Sequence, residues 1–341
     1  MSRFMTRRAR SPRPGAAVVG AALVFALTAC GSGSDTDAAS APSSSNSAAA
    51  PEQGVVGRAA AQKVVDTYEK VNNQANAALD AKLLATVEGG QAYAMDQATY
   101  ALAPTWSAKD KKAYRKPFYY RDRQYVIPAK GSWFAVRATS SEDGHSSVLL
   151  VFDKADGAYK MVMSVWAEDG QPLPKPALDA HGLAEAVDPA AKVGAFAPAD
   201  VGAAFDDLYA TGGAKAGKNL ATTKPVDEAA KIYRDSTAHG TADGIATKRF
   251  FTKTPADTSV YALRTADGGV LALFPVAHNQ EQLVKEVYRS SRELVPTDEE
   301  STLGAHRGPV ITDVFQGQGA AVLTAKATKV TAMSWQQVDS H

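Results

Sequence analysis

Tyr93, Asp96 and Tyr100 stand three and four residues apart, the spacing that brings side chains onto one face of an α-helix. A single carboxylate held among aromatic rings can act as a general base, because burial raises its pKa toward neutrality. Asp96 is therefore the candidate catalytic residue, and Trp106, Tyr120, Trp133 and Trp166 are the aromatic residues that would join Tyr93 and Tyr100 around a ligand. The same spacing also describes a helix face packed into a core, with Asp96 solvated or ion-paired. Aromatic residues at helical intervals are more often core than cofactor box.

Other chemical signals are imitations. Gly212-Gly-Ala-Lys-Ala-Gly217-Lys218 has the spacing of a phosphate-binding loop, but Asn219 follows where a Ser or Thr would hold magnesium. The loop also follows a helical pattern instead of a strand, so a plain Gly/Lys loop is expected. The histidines at 145, 181, 239, 278, 306 and 341 show no paired spacing, and a zinc site needs three or four converging ligands. Asp235, Ser236 and His239 lack the Gly-x-Ser-x-Gly turn of a nucleophile. Asp153-Lys-Ala-Asp156-Gly157 lacks the distal glutamate of a calcium loop and reads as a turn. No cofactor and no metal is expected.

The most specific signal lies upstream. Arg3, Arg7, Arg8, Arg10 and Arg13 precede an apolar run from Ala16 that ends in Leu27-Thr28-Ala29-Cys30, and Cys30 is the only cysteine. A cationic segment, an apolar segment and a small-residue cut site make a secretory signal peptide, and Leu27-Thr28-Ala29 before Cys30 reads as a lipobox. Two alternatives are a membrane span and an ordinary cleaved signal. The run from Ala16 to Ala29 has 14 residues, whereas a span takes about 20. Several acyl chains at Cys30 would anchor the protein stably, at about 0.8 kcal/mol per buried methylene. Thr6-Arg7-Arg8 lacks the apolar pair of a twin-arginine signal.

Loss of residues 1–29 removes five arginines and no acid, taking the formal charge from +1 to −4. A slightly acidic surface of mixed sign carries no nucleic-acid footprint. With Cys30 committed to lipid, neither disulfide nor thiol nucleophile remains. Residues 30–57, rich in Ser, Ala and Gly, bury too little to order themselves and form a tether reaching on the order of 30 Å.

The rest exceeds one typical domain, and the breakers from Gln171-Pro-Leu-Pro-Lys-Pro176 to Asp188-Pro189 suggest a linker over 171–197. In the first domain, 58–170, apolar residues at three and four residue steps predict helices from Arg58 to Val87, with Asp80 capping the second piece, and from Gln91 to Ala103. Strands follow at Phe118–Ile127, Ser132–Thr139, Ser147–Phe152 and Ala158–Trp166. In the second domain, 198–341, helices are expected at Pro198–Ala210 and Val226–Thr237. Strands are expected there at Ile245–Phe251, Ser259–Thr265, Val270–Ala277, Gly308–Phe315 and Ala320–Val330, with Glu281–Glu293 helical or irregular. Helices followed by hairpin-connected strands define an α+β class, with two similar domains each packing N-terminal helices on a curved antiparallel sheet.

That order resembles the cone-shaped fold shared by nuclear transport factor 2 (NTF2) and the SnoaL-like polyketide cyclases. The tether, the stretch Asn76-Ala-Ala-Leu-Asp-Ala-Lys-Leu-Leu-Ala-Thr-Val-Glu-Gly-Gly90 and Met95-Asp-Gln-Ala-Thr-Tyr100 are similar to a group of actinobacterial surface lipoproteins. The resemblance implies an extracytoplasmic, lipid-anchored protein and transfers no catalytic residue. The expected function is a noncatalytic envelope module binding a protein, a glycan or a small apolar ligand. A cone-fold enzyme or carrier using Asp96 comes second. A transporter's solute receptor comes third, because such receptors alternate strands with helices.

Overall fold

The computed structural model describes residues 54–141, 146–167 and 173–341. The signal peptide, the lipobox with Cys30, His145 and the tether as far as residue 53 lie outside the described residues. Helix α1 (Arg58–Ala78) buries Ala61, Val65, Tyr68, Asn72, Ala75 and Asn76, a stripe at three and four residue steps. It ends where Leu79 turns left-handed at φ 57°. Asp80 then caps α2 (Ala81–Leu84), accepting from the amides of Lys82 and Leu83 at 2.9 and 3.0 Å. Helix α3 (Gly90–Ala101) follows. Helix α4 (Ala108–Tyr114) was not anticipated, although the Ser107 hydroxyl accepts from the Asp110 amide and so gives a cap signal.

Strands β1 (Tyr120–Val126), β2 (Trp133–Ser140), β3 (Ser147–Ala155) and β4 (Ala158–Trp166) form one antiparallel meander. The β3–β4 turn falls on Asp156 and Gly157, both at positive φ (52° and 82°), as a two-residue hairpin loop with the twist of its strands requires. One face of this sheet, with Phe134, Val136, Leu150 and Phe152, packs on α1 through Val65 and Tyr68.

The second half repeats the order. Helices α5 (Val201–Thr211) and α6 (Lys224–His239) precede β5 (Ala246–Thr252), β6 (Tyr261–Arg264), β7 (Val270–Val284), the short helix α7 (Asp298–Thr302), β8 (Val310–Leu323) and β9 (Thr328–Ser340). The sheet order is β5-β7-β8-β9, and β6 pairs the start of β7 on the edge that β5 occupies farther along. The largest differences from the sequence expectation fall in β7, β8 and β9. Residues 281–284 extend β7 instead of opening a helical or irregular segment, Gly308–Phe315 and Ala320–Val330 are not two strands, and β9 runs on to Ser340. Gln316-Gly-Gln-Gly319 continues β8 because its glycines serve close packing, not a turn. A Cβ at Gly317 would lie 2.6 Å from the Trp335 ring, and one at Gly319 would lie 2.2 Å from the Met333 sulfur. The turn falls instead at Thr324–Ala327, where the Thr324 hydroxyl accepts from the amides of Lys326 and Ala327.

The molecule is thus α+β with two antiparallel sheets, of four and five strands. Both sheets are covered on both faces, which explains the unbroken apolar runs Val148–Phe152 and Val270–Ala277. Their inner faces meet in one apolar cluster containing Ala135, Leu149, Val151, Leu263, Leu271 and Leu273. Residues 173–197, expected to link the halves, run along both sheets. Ala184 donates to Ile127 O of the first half at 2.9 Å, and Ala177 and Val187 donate to Arg264 O and Ala262 O of the second at 2.8 and 2.9 Å.

Where α3 crosses the second sheet the seam is polar. The fully buried Gln91 amide donates to Gly317 O at 2.8 Å, to Gln316 Oε1 at 2.9 Å and to Val276 O at 3.2 Å. Gln318 Oε1 accepts from the Ser164 amide, and the Thr99 hydroxyl donates to Gln336 Oε1, both at 3.1 Å. Replacing Gln91 by Leu removes these buried hydrogen bonds and leaves Leu against polar groups, so Gln91→Leu should lower stability by about 2–3 kcal/mol. Gln97→Leu, exposed on the same helix, should stay within about 0.5 kcal/mol. Urea denaturation compares them, and equal effects would contradict the role of the seam.

Candidate functional site

In the first half, α3 carries Tyr93, Asp96 and Tyr100 to different surroundings. The Tyr93 hydroxyl donates to Ala81 O at 3.3 Å, and the Tyr100 hydroxyl donates to Asn76 Oδ1 at 2.7 Å. Tyr100 and Trp106 both lean on Tyr114, with ring centroids 6.1 and 4.8 Å away. Tyr120 instead stacks on Tyr68 beneath α1, Trp133 meets Tyr261 of β6 at 5.1 Å, and Trp166 is exposed at the end of β4. The six aromatic residues expected to surround a ligand are therefore distributed over the helix cluster, the α1 core, the sheet seam and the surface.

Asp96 is half-buried and close enough to Tyr68 of α1 to act electrostatically on its phenol. The Tyr68 hydroxyl donates to Glu88 Oε1 at 3.0 Å and accepts from Asn72 Nδ2 at 2.5 Å. Burial, with Glu88, Tyr120 and Asp96 adding negative or phenolic neighbours, holds the Tyr68 phenol well above its usual pKa. Nearby, Glu69 accepts from the Tyr120 amide at 2.8 Å and pairs with Arg123 at 2.7 Å. Arg123 reaches α1 because β1 is irregular between Arg121 and Gln124, with Asp122 at φ 53°. These contacts tie α1 to β1.

A second constellation, missed in the sequence, lies on the helix-facing side of the second sheet. Alternation along β7 places Phe274, Val276, His278, Gln280 and Gln282 on one face, and the apolar end packs on Val201 and Phe205 of α5. His278 Nδ1 lies 3.1 Å from Asp206 Oδ1, and both side chains are 5% exposed. Trp335, Tyr209, Phe250 and Phe315 surround the imidazole at 4.4, 4.7, 5.4 and 5.5 Å. Burial raises the Asp206 carboxyl, and the hydrogen bond to His278 opposes that rise. A carboxylate can orient an imidazole for proton transfer, yet no hydroxyl or thiol among the described residues is hydrogen-bonded to His278.

One row farther along, Asp313 accepts from Ser340 Oγ at 2.7 Å, Gln337 Nε2 at 2.8 Å and Gln280 Nε2 at 3.1 Å. Burial, with Glu300 of α7 adding repulsion and Lys248 of β5 opposing it, pushes the Asp313 carboxyl up to about 6. Burial lowers the Lys248 ammonium. Two signals could have found this face: a histidine in phase with apolar β7 residues, and Asp206 on the apolar stripe of α5.

The loop that imitates a phosphate cradle does hold an anion, its own. Asp207 Oδ2 accepts from the Lys215 and Gly217 amides at 2.9 and 3.0 Å, and Oδ1 accepts from the Thr211 hydroxyl. These bonds depress the Asp207 carboxyl against the opposing effect of burial. Asp235 pairs with Lys231 at the exposed face of α6, whereas Ser236 is buried on the other side. The Asp153 carboxylate accepts from the Lys154 amide and the Tyr261 hydroxyl. Among the described residues no group of three or more His, Cys, Asp or Glu side chains is placed to hold a metal.

Two clefts remain. One, of about 360 Å³, lies between α3 and the second sheet, with Ala94, Gln97, Ala101 and Gln316 in its walls. The other, of about 170 Å³, opens between the sheets beside the 173–178 segment and is lined by Arg137, Leu149, Leu263 and Leu271 among others. Asp96 and His278 line neither.

These features describe an α+β protein built on two sheets that share a core. Its family follows from its sequence relatives. The chain belongs to the family described as a domain of unknown function (DUF8094), whose model matches residues 52–339. It is 37% identical over 276 residues to an uncharacterized lipoprotein of Streptomyces coelicolor, covering 77% of this chain and 75% of that protein. It is 26% identical over 231 residues to another uncharacterized lipoprotein of that species, covering 66% and 68%. Among the described residues no helix is long and apolar enough to cross a membrane.

The raised Asp313 pKa has a definite sign. Folded, the carboxyl keeps its proton to about pH 6, whereas unfolded it ionises near 4. Stability should fall as pH rises from about 4 to about 6, by on the order of 2 kcal/mol, and level off above. Urea denaturation of wild type and Asp313→Asn between pH 4 and 7 should show that slope only in the wild type. An equal slope in the variant would contradict the assignment.

Proposed function

We propose that the protein is a lipoprotein held on the outer face of the cell membrane through acylated Cys30, and that its α+β unit is a noncatalytic binding module of the envelope. The lipobox Leu27-Thr28-Ala29 before the only cysteine supports the anchor, as do the two relatives named lipoproteins. The observation that carries the noncatalytic reading is the placement of Asp96. It acts electrostatically on Tyr68, whose hydroxyl is hydrogen-bonded to Glu88 and Asn72, and it lines neither of the two clefts described above. The aromatic residues expected to accompany it go elsewhere.

A small-molecule carrier is the second reading, favoured by the apolar cleft between the sheets. The transporter-receptor reading has less support, because antiparallel strands in both halves differ from the alternating lobes such receptors use.

Fractionation of cells carrying wild type or Cys30→Ser tests the anchor. Wild type should sediment with membranes and take up an alkyne-tagged palmitate, and Cys30→Ser should lose the label and appear in the soluble fraction. Membrane retention of Cys30→Ser at the wild-type level would contradict the lipoprotein assignment.

A further inference from the structure

The cleft of about 170 Å³ is built from both halves. Gln124, Arg137 and Leu149 are successive register partners across β1, β2 and β3, so they stand side by side on the face turned to the second sheet. Leu263 and Leu271 are register partners on β6 and β7 and form the opposite wall. The third side is the proline-rich segment, in which Pro174 and Pro176 line the cleft. That segment is fastened to β6, since Ala177 donates to Arg264 O at 2.8 Å and Ala266 donates to Lys175 O at 2.9 Å.

The lining is mainly aliphatic, and its charges have one sign. Among the described residues it contains Arg137 and Lys175 and no carboxylate. The Arg137 guanidinium donates to Leu173 O, and no described carboxylate is paired with it. Burial lowers its pKa. A guanidinium presents a planar fork of donors suited to a carboxylate, so a cation left half-buried beside aliphatic walls calls for an anion with an apolar body. Size agrees, because an apolar protein cavity of about 150 Å³ takes up benzene.

We propose that this cleft binds a small apolar carboxylate, its acid on Arg137 and Lys175 and its hydrocarbon body between Leu149, Leu263 and Leu271. This names a ligand class for the binding role proposed above. It is tested independently of the anchor, since its readout is ligand affinity and not membrane retention.

The test is isothermal titration of the full chain in phosphatidylcholine nanodiscs, with empty nanodiscs as the blank. The probes are 4-tert-butylbenzoate and its uncharged analogue 4-tert-butylbenzyl alcohol. The carboxylate should bind at least tenfold more tightly than the alcohol, and Arg137→Gln should remove at least tenfold of that affinity while leaving alcohol binding unchanged. Lys175→Gln, at an exposed position, keeps the test decisive if Arg137→Gln lowers stability, and it should weaken the carboxylate about two- to fivefold. A carboxylate that does not bind, that binds no tighter than the alcohol, or that binds both variants as tightly as wild type overturns the site. In that event a protein or glycan partner remains for the module.

Discussion

The primary amide of Gln91 sets the relation between the two halves. It projects from α3 of the first half into the second sheet and is shared among Val276 O, Gln316 Oε1 and Gly317 O. Buried carbonyls need donors, and here part of the supply comes from the other half of the chain. Gly317 and Gly319 make the local packing feasible, because any Cβ there would collide with Trp335 or Met333. Around this polar point the apolar cluster of the two sheets closes, and Trp133 against Tyr261, with the Tyr261 hydroxyl on Asp153, extends the joint to the sheet edge.

Several features follow from that joint. Each sheet has one face against its own helices and the other against its neighbour, so its central strands are apolar on both sides. The second sheet is longer than the first, and its far end carries His278, Gln280, Gln282 and Asp313 toward α5 and α7. The proline-rich segment must cross the open edge of the joint, and there it leaves the aliphatic cleft with Arg137 in its wall. The clefts thus arise from how the halves meet and not from the interior of either one.

Much of the fold was legible in the sequence. The three and four residue steps from Val64 to Ala78 gave α1, Asp80 gave the α2 cap, and Asp156-Gly157 gave the hairpin between β3 and β4. Several illegible features share one cause, which is polar residues buried by distant partners. Gln280, Gln282, Gln336 and Gln337 lie within β7 and β9 but look like loop residues, since their hydrogen-bond partners are remote in sequence. His278 and Asp206 are separated by 72 residues, so only the topology brings them together. Composition marked 171–197 as a linker because single hydrogen bonds to strand edges, such as those of Ala177, Ala184 and Val187, leave no periodic trace. The aromatic residues drew attention to Asp96 by helical spacing, yet spacing along one helix says nothing about where Trp133 and Trp166, on strands, will point.

The central claim is that the two halves form one cooperative unit through the shared seam. Hydrogen exchange followed by mass spectrometry across a urea series measures this most directly, by comparing peptides from β2 and β3 with peptides from β7 and β8. The account predicts that protection in both sheets is lost at the same urea concentration. Loss of protection in one sheet while the other stays fully protected would contradict it.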